Sequence, residues 1–381
     1  MNKSPINDRI ETELESRKKD NRFRKVAEPG NRGRIDLATN SYLALHANEE
    51  IAAEAKYLTD NCFSGNLASR LIETQTSLYP MLESELCEWE KAEAALVFNS
   101  GYSANLGIIE AICSRDTEVF SDRLNHASIV DGIRLSGAFL TRYGHCDMHD
   151  LKKRLEASSK KEKLIITDTV FSMDGDFAPL ADICGLARQY GSMVMVDEAH
   201  GTGVFGDTLC GCVEKFGLGK SVDIKMGTLS KALAGLGGFF SGSRSMRDFL
   251  VNKARSLIYS TALPQSVLAH DLAALRHIRA HPELGRSLLE KSAKLRDAIK
   301  SLGFDTLKSE SQIIPLVTGD EGEALGLSAF LAEQGINAPA IRPPTVPKGT
   351  SRIRFSVHAG LSPDDISHVV DSLAVWKKNN A

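Results

Sequence analysis

The sequence predicts an α/β protein built on a mainly parallel sheet. Through the middle of the chain, short apolar runs typical of strands alternate with amphipathic stretches typical of helices. The apolar runs are nearly continuous, which is typical of parallel strands that are covered on both faces. The predicted strands are 94–98, 117–121, 138–143, 163–169, 192–197 and 222–228, and the helices between them are 102–113, 126–136, 148–158 and 180–190.

The pattern changes after about residue 262, where a second α/β unit is expected. Its predicted helices are 264–280, 284–302, 324–334 and 363–377, and its predicted strands are 312–317, 337–341 and 352–357. The first 50 residues begin with a charged helix at 6–20 and show no clear sheet pattern. We expect this arm to pack across the domain boundary or onto a partner chain. The predicted parts are an N-terminal arm at 1–50, a large domain at 51–280 and a small C-terminal domain at 281–381.

Composition argues against several kinds of partner. The chain has 381 residues, a formal net charge of −3 and a pI of about 6.4, so we expect neither nucleic acid nor a membrane surface to bind. The first 24 residues lack the apolar core of a signal peptide, and no run approaches the roughly 18 apolar residues that span a bilayer. Seven cysteines, an odd number, are expected to be reduced thiols in a cytoplasmic protein.

Lys231 occupies an unusual place for a charged side chain. It lies in a turn of small residues after the predicted strand 222–228, and the glycine-rich segment 234–238 follows it. Lysine is usually exposed, so a solvated loop residue is the ordinary interpretation. The alternative is an amine held in a pocket, where loss of water favours its neutral form and allows it to form a Schiff base.

Asp197 favours the second interpretation. It ends the predicted strand 192–197, and parallel strands present their carboxyl ends at one edge of a sheet. Pyridoxal 5′-phosphate (PLP) requires a lysine for its Schiff base and a carboxylate for its protonated pyridine nitrogen. Such an ion pair at about 4 Å contributes on the order of 4 kcal/mol at an effective dielectric constant of about 20. A helix N-cap is the ordinary alternative for Asp197, and Glu198 would point to the opposite face.

Other residues near the strand ends suit the remaining parts of PLP. The segment 99–105 follows a strand and begins a helix, so Gly101 and its neighbours can offer backbone N–H groups to a phosphate. Thr228 can add a hydroxyl. His200 is placed to contact the phenolic oxygen of the ring, and His126 is placed to stack on the ring. Each signal is weak alone, but together they predict a PLP site at the carboxyl edge of the sheet.

Two other motifs compete with this interpretation. Gly201, Gly203 and Gly206 match the glycine spacing of a dinucleotide-binding fingerprint, but no long helical pattern follows them. The segment 145–149 holds two histidines, a cysteine and an aspartate, which can all ligate metals. No second cluster of ligands follows it, and Asp147 is a natural helix cap. The sequence therefore predicts neither NAD nor a metal ion as a cofactor.

The motifs taken together resemble those of the α-oxoamine synthases. These are PLP enzymes of fold type I that condense an amino acid with an acyl thioester and release CO2. The resemblance spans nearly the whole chain and implies a large PLP-binding domain with a smaller α/β C-terminal domain. It is carried by Asn-Ser-Gly-Tyr-Ser-Ala-Asn at 99–105, Asn-His-Ala-Ser at 125–128, Val-Phe-Ser-Met-Asp-Gly-Asp-Phe-Ala-Pro-Leu at 170–180, Val-Asp-Glu-Ala-His-Gly-Thr-Gly at 196–203 and Gly-Thr-Leu-Ser-Lys-Ala at 227–232.

The resemblance implies roles for the matching residues and a homodimer. The cofactor residues that it implies are Lys231 as Schiff base and proton shuttle, Asp197 on the pyridinium, His126 on the ring face, His200 on the phenolic oxygen, Ser172 and Thr228 as further contacts, and Gly101 and Tyr102 at the phosphate. The substrate residues that it implies are Arg342 on a carboxylate, Arg24, Thr345, and Asn40 from the neighbouring subunit. That subunit would also bring Ser260 and Thr261 to the phosphate.

The segment Ala-Ile-Arg-Pro-Pro-Thr-Val-Pro at 340–347 is similar to the members of the family that join L-alanine to a pimeloyl thioester. The thioester would be carried by CoA or by an acyl carrier protein. The alternative pair is glycine and acetyl-CoA, and a non-catalytic subunit of the same fold would be expected to lack Lys231. The sequence departs from the family pattern at four places: Ser41 replaces an aspartate, the segment 69–76 lacks the usual glycine, Tyr79 replaces a histidine, and His358 lies in a shifted Ala-Ala-His segment. The segment 69–79 is therefore divergent. These departures concern the acyl chain more than PLP.

Overall fold

Strands and helices alternate along most of the chain. The structure is a computed structural model that describes residues 4–24, 26, 35–60, 65–66, 68–72 and 76–380. Its strands are β1 (Ile35–Asp36), β2 (Ala94–Phe98), β3 (Thr117–Asp122), β4 (Phe139–Tyr143), β5 (Glu162–Asp168), β6 (Met193–Asp197), β7 (Ile224–Thr228), β8 (Gly238–Gly242), β9 (Ile313–Gly319), β10 (Ile336–Asn337), β11 (Ala340–Ile341) and β12 (Ser351–Ser356).

The helices vary from one turn to five. They are α1 (Pro5–Lys19), α2 (Glu49–Thr59), α3 (Leu78–Glu90), α4 (Gly101–Ile112), α5 (Ala127–Ser136), α6 (Met148–Ala157), α7 (Leu180–Tyr190), α8 (Cys212–Lys215), α9 (Arg244–Lys253), α10 (Arg255–Ile258), α11 (Gln265–Ala280), α12 (Glu283–Ser301), α13 (Glu321–Glu333) and α14 (Pro363–Asn379). Within the described ranges, none of these helices combines the length and the apolar content that crossing a bilayer requires.

Seven strands form the central sheet, in the order β2-β8-β7-β6-β5-β3-β4. The strands from β7 to β4 pair in parallel, whereas β8 runs antiparallel to both of its neighbours, β7 and β2. β2 therefore points in the same direction as the parallel strands. The carboxyl ends of β2, β5, β6 and β7 consequently meet at one edge of the sheet, which is the edge where open α/β sheets bind their ligands.

Both faces of the central sheet are buried, as the continuous apolar strands predict. Along β5, Leu164 and Ile166 contribute to one hydrophobic cluster, and Ile165 contributes to the other. Side chains alternate between the faces of a strand, so the two clusters lie on opposite sides of the sheet. The first cluster includes Ile129 of α5, and the second includes Ile183 of α7. Helices thus cover the sheet on both sides.

A second sheet lies in the C-terminal part of the chain and has the antiparallel order β11-β12-β9. The N-terminal arm packs against this part of its own chain, because β1 pairs in parallel with β10 and the Leu37 carbonyl accepts a hydrogen bond from the Ser356 N–H at 2.8 Å. We propose the same division as for the sequence, with an arm at 1–50, a large domain at 51–280 and a small domain at 281–381.

The elements predicted between residues 94 and 228 all form, and their ends move by no more than two residues. The predicted strand 337–341 is interrupted instead, because Pro339 has no N–H group to donate to a neighbouring strand. β8 was not predicted, since its glycines suggest a turn. A Cβ atom added to Gly238 would lie 2.6 Å from the Gly101 Cα atom, so the close approach of β8 to the start of α4 requires this glycine.

The central sheet offers a matched pair of phenylalanines. Phe240 of β8 is fully buried, and Phe139 of the edge strand β4 is 60% exposed. We expect Phe240→Ala to lower the free energy of unfolding by about 3–5 kcal/mol, because it removes a buried ring and leaves a cavity. Phe139→Ala should change it by less than about 0.5 kcal/mol. Urea unfolding followed by circular dichroism measures both, and equal losses would contradict this account of the core.

Candidate active site

One pocket at the carboxyl edge of the central sheet collects the predicted cofactor residues. Those that line it are Gly101, Tyr102, His126, Ser172, Asp197, His200, Thr228 and Lys231. The topology brings them together because β6 ends at Asp197, β7 ends at Thr228 and α4 begins at Gly101. Lys231 and Asp197 therefore face one cavity, whose volume is about 160 Å³.

Asp197 is a buried carboxylate with a hydrogen-bond donor at each oxygen. Its Oδ1 atom accepts from the Ala199 N–H at 2.8 Å, and its Oδ2 atom accepts from Asn105 Nδ2 at 2.7 Å. Only 4% of Asp197 is exposed. Donors that bind the charged form of a carboxylate favour that form, so Asp197 supplies a negative charge to the floor of the pocket. Glu198 contacts Thr169 and Val213 instead, outside the pocket.

A chain of hydrogen bonds connects Asp197 to His126. Asn105 Nδ2 also donates to Ser128 Oγ at 2.9 Å, and Ser128 Oγ lies 2.7 Å from His126 Nδ1. The Ser128 N–H points at the same ring nitrogen, at 3.3 Å. Nδ1 is therefore the acceptor, and Nε2 carries the proton of the neutral ring. Loss of water around the ring lowers the pKa of His126, which favours this neutral form.

His200 is held from the side of the N-terminal arm. Its Nδ1 atom lies 2.6 Å from Tyr42 Oη, and its carbonyl accepts from Gln312 Nε2 at 2.9 Å. Burial lowers the pKa of His200 well below its ordinary value, and the charges of Lys231 and Arg354 act in the same direction. His200 is consequently a neutral imidazole whose position depends on contacts from both ends of the chain.

Lys231 lies among groups that favour a neutral amine. Burial lowers its pKa, and the nearby charge of Arg354 lowers it further, whereas Asp197 and Asp168 act in the opposite direction. A lysine without water around it loses its proton more readily, which is the property that a Schiff-base amine requires. The side chain at 231 therefore has the environment that its place in the sequence predicts.

Sequence reasoning missed two polar residues of the pocket. Asn105 lies one helical turn after Gly101, and this spacing could have identified it. Asp168 ends β5 opposite Asp197, and strand-end position was again the available signal. Asp168 Oδ2 accepts from the His126 N–H at 3.0 Å, while Oδ1 has no partner in the described part of the chain. Burial raises the pKa of Asp168 well above its ordinary value, and the charge of Asp197 adds to this.

Arg354 was also missed, although a charged residue inside the apolar strand β12 was a signal. It is 5% exposed and has no carboxylate partner in the described residues. Its Nε atom donates to the Ser172 carbonyl at 2.6 Å, and Nη2 donates to Asn40 Oδ1 at 3.2 Å. A buried guanidinium is costly unless it is compensated, and here neutral acceptors compensate it, including Ser356 Oγ at 2.7 Å from Nη1. Asn40 thus lies beside Arg354 of its own chain.

The other predicted substrate residues lie farther out. A cleft of about 1450 Å³ shares His126 and Ser172 with the pocket and extends to Arg24 and Thr345. Arg24 Nη2 donates to Thr345 Oγ1 at 2.9 Å. Arg342 donates to the Asn21 carbonyl and does not line the pocket. The structure therefore brings Arg24 and Thr345 together. Neither Arg342 nor Arg354 lines the pocket, although the charge of Arg354 acts on Lys231.

The competing motifs and the residues that depart from the family pattern do not line the cofactor pocket. Gly203 and Gly206 have φ values of 78° and 90° in a compact turn, and only the four-residue helix α8 follows, so the strand–loop–helix setting of a dinucleotide site is missing there. Asp147 caps α6 through the Asp150 N–H at 2.9 Å. Ser41 contacts His46, and Tyr79 accepts from the Leu263 N–H. Within the divergent segment 69–79, residues 73–75 lie outside the described residues.

Comparisons with known proteins point to one family. Residues 32–373 match the model of the family described as "Aminotransferase class I and II". The chain belongs to this family. It is 45% identical over 342 residues to an 8-amino-7-oxononanoate synthase of Geobacter sulfurreducens, a match that covers 89% of this chain and 87% of the relative. The predictions of an α-oxoamine synthase, of fold type I and of a PLP-dependent enzyme are confirmed.

Solved structures of family members share the fold. A structure of serine palmitoyltransferase (SPT) with its PLP internal aldimine superposes with a TM-score of 0.91 at 28% identity and covers 99% of both chains. An 8-amino-7-oxononanoate synthase of Francisella tularensis has a TM-score of 0.78 at 26% identity, covering 91% of this chain and 98% of the other. The mainly parallel sheet with one reversed strand is therefore the framework of fold type I.

The pocket fits PLP on observations of its own. Lysine and carboxylate face one cavity. At the start of α4 the Ser103 N–H is capped by Ser100 Oγ at 3.0 Å, whereas the N–H groups of Gly101 and Tyr102 precede the first carbonyl partners of the helix. Gly101 leaves space there, because an added Cβ atom would lie 3.5 Å from Thr228 Oγ1. Gly101, Tyr102 and Thr228 would hold the phosphate, and Asp197 would hold the ring nitrogen. Asn99, just before α4, donates a hydrogen bond from Nδ2 to Ser260 Oγ at 2.9 Å. This contact keeps the Ser260 hydroxyl near the start of the helix.

The neutral state of His200 has a consequence for stability. Its pKa is lowered from 6.5 in the folded protein, so the unfolded chain binds a proton that the folded chain excludes, and stability falls as the pH drops below about 6.5. In His200→Gln, the loss of unfolding free energy as the pH falls should be smaller by up to about 1.4 kcal/mol per pH unit. Urea unfolding between pH 5 and about 8 measures it. His149→Gln, on the exposed side of α6, is the control, and identical slopes for both variants would contradict the burial of a neutral His200.

Proposed function

We propose that this enzyme condenses L-alanine with a pimeloyl thioester and releases CO2 to form 8-amino-7-oxononanoate, an intermediate of biotin synthesis. The observation that carries the proposal is the placement of Lys231 and Asp197 in one pocket that opens into an arginine-lined cleft. The relatives named 8-amino-7-oxononanoate synthase support the choice of substrates. Glycine C-acetyltransferase, which uses glycine and acetyl-CoA, is the alternative.

The residues of the pocket have separate roles in the proposed reaction. PLP, when bound, withdraws electrons from the α-carbon of an amino acid. Asp197 supports this by holding a negative charge at the pyridine nitrogen, and Asn105 and the Ala199 N–H keep that carboxylate in place. His200 offers a hydrogen bond to the phenolic oxygen. Lys231 is the group that takes the α-proton and later returns it, because burial favours its neutral form.

Arg354 is proposed to bind the α-carboxylate of alanine. It is a buried arginine, and its charge lowers the pKa of both Lys231 and His200 in addition to the effect of burial. A guanidinium can hold a carboxylate through two parallel hydrogen bonds, which fixes the orientation of the bound amino acid. Release of CO2 requires the carboxylate to be held at a defined angle to the ring. Arg354 would therefore bind the amino acid and also orient the bond to the carboxylate for release of CO2.

The cleft is proposed to bind the carrier of the acyl group. The arginines along it are Arg24, Arg123, Arg134, Arg142 and Arg154, against two aspartates, Asp131 and Asp150. Ion pairs join Arg134 to Asp131 and Arg154 to Asp150, which leaves Arg24, Arg123 and Arg142 without an acidic partner among the described residues. Guanidinium groups bind phosphates well. This arrangement suits the phosphates of CoA or of a phosphopantetheine arm on acyl carrier protein.

Arg24, which lines the cleft, and Arg342, which lies near it, favour pimeloyl over acetyl. Burial lowers the pKa of Arg342, the charge of Arg24 lowers it further, and Glu321 acts in the opposite direction. Neither arginine has an ion pair with a carboxylate among the described residues. Two like charges near each other favour an anion between them. A pimeloyl chain ends in a carboxylate that can occupy this place, whereas an acetyl group has none. Arg24, Thr345 and Arg342 are thus proposed to select a dicarboxylic chain.

We further propose that the enzyme is a homodimer. Ile72 and Tyr259 are each 74% exposed, and they flank the bridge between Ser69 and Thr261. Large exposed apolar side chains of this kind suit an interface between subunits. Thr261 also accepts a hydrogen bond from Asn99, whose segment leads into the phosphate end of the pocket. A second copy at this surface would lie close to the cofactor.

The substrates can be tested directly. CoA release should be faster with L-alanine plus pimeloyl-CoA than with glycine plus acetyl-CoA, because only the first pair supplies an anion to Arg24 and Arg342. Lys231→Ala should abolish both CoA release and the visible absorption band of the Schiff base between PLP and the lysine, since it removes the Schiff-base amine. Thiol titration and absorbance spectra measure these outcomes. Faster turnover of the glycine pair would select the alternative function.

The two arginine sites can be separated by kinetics. Arg354→Lys keeps the charge but loses the two-pronged contact, so the KM for L-alanine should rise by about 30-fold, equivalent to roughly 2 kcal/mol, while the KM for pimeloyl-CoA changes little. Arg24→Ala should produce the opposite pattern. Steady-state kinetics with each substrate varied measures both. An equal rise of both KM values in both variants would rule out separate sites.

A further inference from the structure

His145 joins two carboxylates near the active site without lining the cofactor pocket. Its Nδ1 atom lies 3.1 Å from Asp122 Oδ1, and its Nε2 atom lies 2.9 Å from Asp176 Oδ2. The ring also packs edge-on against Phe171, with centroids 4.4 Å apart and planes at 90°. An ionised carboxylate only accepts hydrogen bonds, so both ring nitrogens must carry protons. His145 is therefore an imidazolium cation between two anions.

On one side, this cation reaches the segment that carries His126. Asp122 ends β3, its Oδ1 atom accepts from the Leu124 N–H at 2.8 Å, and its Oδ2 atom accepts from the Cys146 N–H at 2.8 Å. Asp122 thus shapes the turn from β3 to α5, in which His126 is the last residue before the helix. The position of Asp122 and the position of the His126 ring are coupled through four residues of backbone.

On the other side, the cation reaches the loop 171–177, which carries Ser172. The Phe171 N–H donates to the Asp176 carbonyl at 3.1 Å, and a bridge between Val170 and Phe177 closes the loop. Arg354 holds the Ser172 carbonyl from the C-terminal sheet. The loop is therefore anchored on β12, through Arg354 at Ser172 and Arg352 at Asp174, and on His145 through Asp176.

We propose that His145 is a positioning residue that clamps the His126 segment to the Ser172 loop and keeps these two walls of the cofactor pocket at a fixed separation. This inference rests on the proposed PLP site, because His126 and Ser172 are the walls that would enclose the ring. His145 does not touch the pocket and takes no part in proton transfer. It acts through Asp122 and Asp176.

The charge of the clamp is constant across the working range of pH. Burial alone would lower the pKa of His145, but the hydrogen bonds with Asp122 and Asp176 outweigh this effect and raise it to about 12. A histidine with an ordinary pKa near 6.5 would release its hold in mildly alkaline solution. The clamp should therefore work equally well from pH 6.5 to about 9, and its removal should have a pH-independent effect.

The sequence did not favour a metal site at 145–149, although its side chains can ligate metals, and the structure gives His145 a different role. The groups of metal-capable side chains at this place both contain His145, together with Asp122 and Cys146 in one and Asp174 and Asp176 in the other. Both ring nitrogens already face carboxylates, and Arg352 already pairs with Asp174. A proton-bearing ring thus satisfies the same carboxylates that a cation would bind.

PLP binding to the apo protein tests the clamp without relying on turnover. His145→Gln keeps a polar side chain of similar size but loses the charge, so the Kd for PLP should rise about tenfold, a coupling typical of residues within one network. Asp176→Asn weakens the contact between His145 and the Ser172 loop, and it provides the same test if His145→Gln folds poorly. The double variant should bind PLP no more weakly than His145→Gln. His149→Gln, an exposed histidine four residues along the same segment, should match the wild type.

The circular dichroism of bound PLP separates positioning from general stability. At saturating PLP, the visible signal should be smaller in His145→Gln and Asp176→Asn than in His149→Gln, because a loosened wall lets the ring reorient. The ratio of the PLP Kd values of His145→Gln and wild type should stay constant from pH 6.5 to about 9. Kd and dichroism equal to those of His149→Gln would overturn the clamp, as would a stoichiometric metal ion lost together with His145. Failure of the wild type to bind PLP would instead refute the proposed function.

Discussion

The buried carboxylate of Asp197 is the group on which the rest of the active site depends. An ionised aspartate in a low-dielectric pocket is costly by several kcal/mol unless donors and an opposite charge compensate it. Asn105 and the Ala199 N–H supply the donors, and a protonated ring nitrogen of PLP would supply the charge. Because Asn105 is fixed by α4 and Asp197 by β6, the contact depends on the packing of that helix against the sheet.

The histidines around the pocket show how surroundings decide the chemistry of one residue type. His126 and His200 are neutral, because each loses water and each has a hydroxyl group rather than a carboxylate at Nδ1. His145 is also removed from water, yet it stays charged because it faces two carboxylates. The neutral rings can contact an aromatic cofactor and its oxygen without adding charge near Lys231. The charged ring of His145 does not line the pocket, and it connects the His126 segment with the Ser172 loop through Asp122 and Asp176.

The candidate site was predictable to the extent that its residues follow strands in sequence. Asp197, Thr228 and Lys231 come directly after apolar runs, and strand direction brings such positions to one edge. Arg354 was not predictable in this way, since it lies far along the chain in a different sheet, and its nearness to Lys231 arises only when the C-terminal part folds back. β8 was missed for a related reason, because its glycines are explained by the close approach of Gly101 rather than by local preference.

The sequence by itself determined the α/β alternation, the parallel direction of most strands and the chemical identity of the lysine and carboxylate, because these follow from local periodicity and from position at strand ends. Tertiary structure decided which charges compensate each other. Tyr42 reaches His200, Arg354 reaches Ser172, and His145 reaches both Asp122 and Asp176 only through folding of distant segments. Electrostatic energy depends on distance in space and on loss of water, and neither quantity is written in the order of the residues.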